Sequence, residues 1–220
     1  MKTKLFASLA VAALLVLGAV YLIAGPGSNA DDAAGGAGKT SQPVSQADEA
    51  KAAAVAASLK SYATGAMANF VPEAAPSPVP EVSFTDAGGA NHDLGLFRGK
   101  LVVLNLWATW CAPCRHEMPT LDQLEGEIGG DRVAVVALSV DQTGLDEVKK
   151  FFAGIKVSHL AIYNDPTAAA GLKFKAIGLP TTLLISPGGL VLGRFVGPAE
   201  WNAPEAKALI DAAAKAYAAG

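Results

Sequence analysis

Cysteine is scarce in this 220-residue chain. Its two residues are too few for a disulfide scaffold or for a four-cysteine zinc site. Aromatic residues reach only 7% and charged residues 17%, below the usual quarter, and alanine fills much of the gap. The formal net charge is −3, which excludes a nucleic-acid binder working through a basic surface. What the chain has in excess is apolar residues, 51% of the total, and that points to a membrane segment added to an ordinary core.

Residues 5–24 supply it, an uncharged run behind Lys2 and Lys4. A helix of about 20 apolar residues crosses a bilayer, whereas a cleaved signal peptide has a core of roughly 7–15. Residues 1–24 therefore read as an N-terminal anchor, with a signal peptide cut after Ser28-Asn29-Ala30 as the alternative. The two lysines keep the N-terminus in the cytoplasm and send the rest outward. Residues 25–80 read as a flexible tether, glycine-rich at first and stiffened at the end by Pro72, Pro76, Pro78 and Pro80. Within it, residues 47–70 carry Val55, Leu59 and Tyr62 at helical spacing, so a short helix is expected. Gly38-Lys39-Thr40 imitates the end of a phosphate loop, but Ala33 stands where the first glycine is required.

The remaining residues, 81–220, are expected to be one domain of alternating strands and helices. An opening hairpin turns at Asp86-Ala87-Gly88-Gly89. Mainly apolar runs at 101–107 and 132–140 predict strands buried on both faces. Helices follow at 112–127, with Pro119 kinking it, and at 145–155. A third strand over 159–163 precedes a helix starting near Thr167. Residues 181–185 and 190–196 flank Pro187-Gly188-Gly189 as a second hairpin, and a helix over 203–217 ends the chain. Strand–helix–strand units in series predict an α/β fold whose mixed sheet is largely parallel.

The chemistry is expected at Trp110-Cys111-Ala112-Pro113-Cys114. Cys111 follows a buried strand and opens a helix, where unpaired N–H groups and the helix dipole favour an anion. Its thiol should therefore ionise below the free value of about 8.5 and attack first. Cys114, one turn inward, can then resolve a mixed disulfide formed at Cys111. A metal site needs more ligands than this pair and His116 provide, and haem attachment needs histidine where Arg115 stands. A merely structural disulfide fits poorly between Trp107 and Trp110, of which Trp110 is expected to be a partly exposed platform and Trp107 core.

The segment Trp107-Ala108-Thr109-Trp110-Cys111-Ala112-Pro113-Cys114-Arg115-His116-Glu117-Met118-Pro119 resembles the active site of the thioredoxin superfamily, in the form found in TlpA-like membrane-anchored periplasmic thiol:disulfide oxidoreductases. Gly178-Leu179-Pro180-Thr181 is similar to that family's cis-proline loop, and Gly197-Pro198-Ala199-Glu200-Trp201 to its TlpA branch. The resemblance runs from Val82 to the C-terminus and implies a thioredoxin fold with an N-terminal β-hairpin and a helix–strand insert over 144–163. It implies a redox-active Cys111–Cys114 disulfide with no other cofactor. The partners it implies are periplasmic proteins with cysteine pairs, such as maturing cytochromes or copper-site assembly factors, and a membrane thiol reductase that supplies electrons. It places Trp110, Pro113, Leu179 and Pro180 in substrate binding.

A cis X–Pro bond is a minority state, about 5–6% of such bonds, and beside a CxxC it would present the Leu179 backbone to an extended partner segment. One departure is Asn105, which stands where many thioredoxins carry a buried carboxylate. Asp141, at the carboxyl end of the adjacent strand, is a candidate proton relay in its place, or else a turn or cap residue. Arg115 and Glu117 are expected as exposed charges. The expected function is a periplasmic dithiol reductase held at the inner membrane. A disulfide-introducing oxidase or a copper-binding assembly factor is the alternative, and Ala112-Pro113, which lacks a charge to hold the thiolate, favours the reductase.

Overall fold

A computed structural model describes residues 44–218, so the expected anchor and residues 25–43 of the tether lie outside the described residues. The described residues all belong to one compact unit. Its elements are α1 (Gln46–Leu59), β1 (Phe70–Pro78), β2 (Ser83–Asp86), β3 (Asn91–Asp93), β4 (Leu101–Trp107), α2 (Ala112–Ile128), β5 (Val133–Ser139), α3 (Leu145–Ile155), β6 (Tyr163–Asn164), α4 (Ala169–Lys173), β7 (Thr181–Ile185), β8 (Leu190–Val196) and α5 (Pro204–Ala218). The strands make one sheet in the order β1-β8-β7-β4-β5-β6-β2-β3.

At its centre, β4, β5 and β7 are buried along their whole length. These are the apolar runs that the sequence shows without alternation, because helices or loops cover both faces. Only β4–β5 and β5–β6 are parallel, joined through α2 and α3. The other pairings are antiparallel, so the largely parallel sheet expected from the sequence is corrected. Two hairpins, β2–β3 and β7–β8, and the added strand β1 account for three of the five antiparallel pairings, and the hairpins join the sheet antiparallel to β6 and β4 for the other two.

The second half of the expected tether is also corrected. Residues 70–78, read as a proline-stiffened spacer, are edge strand β1, paired antiparallel with β8 from Phe70↔Phe195 to Pro78↔Leu190. An edge tolerates Pro72, Pro76 and Pro78 because one side of its backbone needs no N–H, and the register shifts between Pro72 and Ser77. Helix α1 is capped by Ser45, whose side chain accepts from the Asp48 N–H while the Asp48 side chain reaches back. It ends at Leu59, short of the expected Phe70, and two 3-10 turns complete the passage. Its Ala52, Val55, Ala56 and Leu59 are buried in the common core with Met67 and Phe70. The folded domain therefore includes residues 44–80 of the expected tether together with 81–218.

Three smaller differences follow from local hydrogen bonding. Strand β6 has two residues rather than five, because Asp122 of α2 takes the N–H groups of Ser158, His159 and Leu160 at 2.7–3.2 Å. Helix α4 starts at Ala169, after Asp165 has accepted from the Thr167 and Ala170 N–H groups. Helix α2 continues through Pro119 to Ile128.

Candidate active site

Strand β4 ends in Trp107, a fully buried ring stacked on Phe152 and tilted against Phe151 of α3, with centroids 5.5 and 5.2 Å away. The short connection that follows is held by Asp141, just past β5. Its carboxylate accepts from the Thr109 N–H at 2.8 Å, the Thr109 hydroxyl at 2.8 Å and the Ser139 hydroxyl at 2.7 Å. Asp141 thus holds the loop, in keeping with the turn or cap reading of the sequence.

Cys111 fills the N-cap of α2 and its Sγ accepts from the Cys114 N–H at 3.3 Å. The two sulfurs are joined in a disulfide, with Cα atoms 5.3 Å apart. Cys111 is only 6% exposed, a correction to the open helix start expected, because the residue packs into the core cluster. Cys114 is wholly covered, so Cys111 remains the accessible one of the pair. Around it Trp110 is 69% exposed, as expected of a platform, and Ala112 and Pro113 are exposed too.

The Leu179–Pro180 bond is cis. Thr181, the next residue, pairs with Leu106 of β4, which places Pro180 at the sheet edge where β4 runs into the cysteine pair. The Pro180 carbonyl accepts from the Gly197 N–H at 2.9 Å, and Thr181 Oγ1 donates to the Gly178 carbonyl at 2.6 Å. Among the described residues neither backbone group of Leu179 has a partner, while Ile177 beside it is 90% exposed.

Glu117, expected as an exposed charge, is 2% exposed. It lies one turn beyond Cys114 on the same face of α2, and each carboxylate oxygen is occupied. Oε1 accepts from Asn105 Nδ2 at 2.7 Å. Oε2 accepts from the Ala199 N–H and Trp201 Nε1, both at 3.0 Å. Burial pushes its pKa up from 4.5 to about 7, against the pull of the bonds from Trp201, Ala199 and Asn105. The sequence reading missed this residue. The signal was there in two places: Glu117 is three residues from Cys114, so the two share a face, and Asn105 is a polar residue inside an apolar strand.

The assembly is thus an interconvertible dithiol at a helix start, a buried acid that titrates near neutrality one turn behind it, and unpaired backbone at the rim. Such a set exchanges two electrons and two protons with another cysteine pair.

Comparison with known proteins agrees. The family model described as Redoxin matches residues 74–210. The thiol-disulfide oxidoreductase ResA of Bacillus cereus is 32% identical over 118 residues, covering 54% of this chain and 67% of that protein. The thiol:disulfide interchange protein HelX of Rhodobacter capsulatus is also 32% identical, over 54% of this chain and 60% of its own length. A crystal structure of a thiol:disulfide interchange protein of the thioredoxin family, from Chlorobium tepidum, superposes with a TM-score of 0.51 at 26% identity, covering 64% of this chain and 99% of that one.

Proposed function

The chain belongs to the redoxin family and is a thiol-disulfide oxidoreductase with a thioredoxin-like fold, and from that premise we propose that it works as a dithiol reductase of periplasmic proteins, held at the inner membrane by residues 5–24. The observation that carries the direction is the spacer: Ala112 and Pro113 offer the Cys111 sulfur no charge or side-chain donor beyond the helix start itself. A strongly oxidising pair needs a reduced form stabilised well beyond that.

In the reaction the Cys111 thiolate attacks one sulfur of the partner's disulfide. That bond breaks, a mixed disulfide forms, and the partner's other sulfur leaves as a thiolate. Cys114 gives its proton to Glu117 and attacks the Cys111 sulfur, which releases the partner's second thiolate and closes Cys111–Cys114. Two electrons have passed to the partner, and its two thiolates take up two protons. Trp110, Pro113 and the Leu179 backbone beside Pro180 form the contact surface, an extended partner segment pairing with Leu179 as an added strand would. A membrane thiol reductase returns the dithiol, because the compartment is oxidising. Maturing cytochromes and copper-site assembly factors are the partner classes proposed.

Equilibration with glutathione buffers should give a potential nearer about −270 mV than about −120 mV. A value near about −120 mV, with the pair found oxidised in cells, would falsify the reductase direction and establish an oxidase. Trapping with Cys114→Ala identifies the partners as mixed disulfides at Cys111; the absence of any such adduct overturns the partner assignment.

A further inference from the structure

Asn105 on β4 stands directly opposite Thr182 on β7, and both are buried. Its Nδ2 donates to Glu117 Oε1 at 2.7 Å and to Thr182 Oγ1 at 2.9 Å. Its Oδ1 is buried with no hydrogen-bond partner among the described residues. An unpartnered buried acceptor carries a desolvation penalty of about 1–3 kcal/mol, so its presence beside an acid that exchanges protons calls for a reason.

The reason lies in what happens when Glu117 gains a proton. Oε2 already faces a backbone N–H and an indole N–H, from Ala199 and Trp201, and neither donor can reverse its sense. The proton must therefore sit on Oε1, where it meets Nδ2 of Asn105, donor against donor. A half-turn of the Asn105 amide replaces Nδ2 by Oδ1. The carbonyl oxygen then accepts from the Glu117 O–H and, after the hydroxyl rotates, from Thr182 Oγ1. The unpartnered end is the carbonyl oxygen in one orientation and the NH2 group in the other. We propose that Asn105 is a positioning residue for proton exchange at Glu117: its amide turns over as Glu117 is protonated, leaving the acid hydrogen-bonded in both charge states.

The groups facing Glu117 are few. Asn105 and Thr182 on β4 and β7 are neutral, Cys114 lies one turn back on α2, and Glu200, beside Ala199 and Trp201, is the charged group whose field reaches it. The proposal rests on the exchange reading only in making Glu117 the acid that serves Cys114. The amide's turn is read without any redox partner, so its failure and the failure of that reading are seen separately.

The test follows the side-chain amide resonances of Asn105 in the oxidised protein by NMR against pH, together with the Glu117 carboxyl carbon. Both should move with one midpoint. In Glu117→Gln the new NH2 must take the Oε1 place, since the Oε2 place faces two donors. That variant should therefore hold Asn105 turned over, with its resonances at the wild-type low-pH values at every pH. Asn105→Leu removes the charge-assisted bond to the ionised acid, the stronger of the two, and should raise the Glu117 midpoint by about one pH unit. Asn105 resonances that ignore the Glu117 titration, or that sit at the high-pH values in Glu117→Gln, overturn the proposal. An unchanged midpoint in Asn105→Leu does the same, and the first two readings hold even if that variant fails to fold.

Discussion

At the scale of single residues, Glu117 sets the chain's response to pH. Its pKa is raised in the fold, so the native state holds a proton that the unfolded chain releases between pH 4.5 and about 7. Stability from this group is fully present below 4.5 and is lost as pH rises through about 7. The raised pKa corresponds to a loss of about 3 kcal/mol between pH 4 and pH 8 at most. Urea unfolding of the oxidised protein at those two pH values should show wild type losing stability that Glu117→Gln does not; parallel pH profiles would place the acid's titration elsewhere. The same variant cannot accept the Cys114 proton, so turnover of a protein disulfide should fall by about 10²–10³-fold at pH 7, measured as partner thiols formed. Cys111→Ser should abolish turnover. After reduction, alkylation of each single-cysteine variant against pH should show Cys111 reacting faster and ionising lower than Cys114.

At the scale of elements, the unexpected contributor is the α1–β1 segment. It covers β8 with an edge strand and lays a helix across it beside α5, burying Leu59, Met67 and Phe70. Leu59→Ala should cost about 2–5 kcal/mol in urea unfolding while leaving the turnover of the folded fraction unchanged, because Leu59 lies in the α1 segment and touches none of the reacting groups. A chain that starts at residue 81 exposes the β8 edge and should lose cooperative unfolding or aggregate, read by calorimetry and size-exclusion chromatography. If that chain unfolds with the midpoint of a chain starting at residue 44, the segment is an appendage rather than part of the core. Helix α3 has a more direct link to chemistry, since its Phe151 and Phe152 clamp the Trp107 ring from which the cysteine loop departs.

At the scale of the whole molecule, location decides what the redox pair can do. A reductase in an oxidising compartment is spent after one turnover unless a donor recharges it, and an anchor keeps donor and dithiol on one bilayer. Among the described residues no helix is long and apolar enough to cross a membrane, and the proposed anchor, residues 5–24, lies outside them. The full-length chain should sediment with membranes and resist a high-salt wash, whereas a chain starting at residue 44 should stay in the soluble fraction. Full-length protein recovered in the periplasmic extract, shortened at its N-terminus, would identify a cleaved leader instead.

The sequence by itself determined the reactive centre and the frame around it. Strand, CxxC and helix are local in the chain, and residues 101–107 and 112–127 read directly as β4 and nearly all of α2 because apolar runs and a helix start leave short-range patterns. The hairpin turns at 86–89 and 187–189 were legible for the same reason, whereas the cis state of Pro180 followed from the family resemblance of its loop. Only the tertiary structure decided which polar residues go inside. Glu117 looks like any exposed helix charge until Asn105, Ala199 and Trp201, far apart in sequence, close over it. Asp141 reads as a relay or a turn residue until Thr109 and Ser139 show which loop it holds. A proline-rich stretch reads as a spacer until β8 offers it an edge to pair with. Short-range order follows from propensity and spacing, but the burial of a charge and the pairing of an edge depend on partners brought by the fold from elsewhere in the chain.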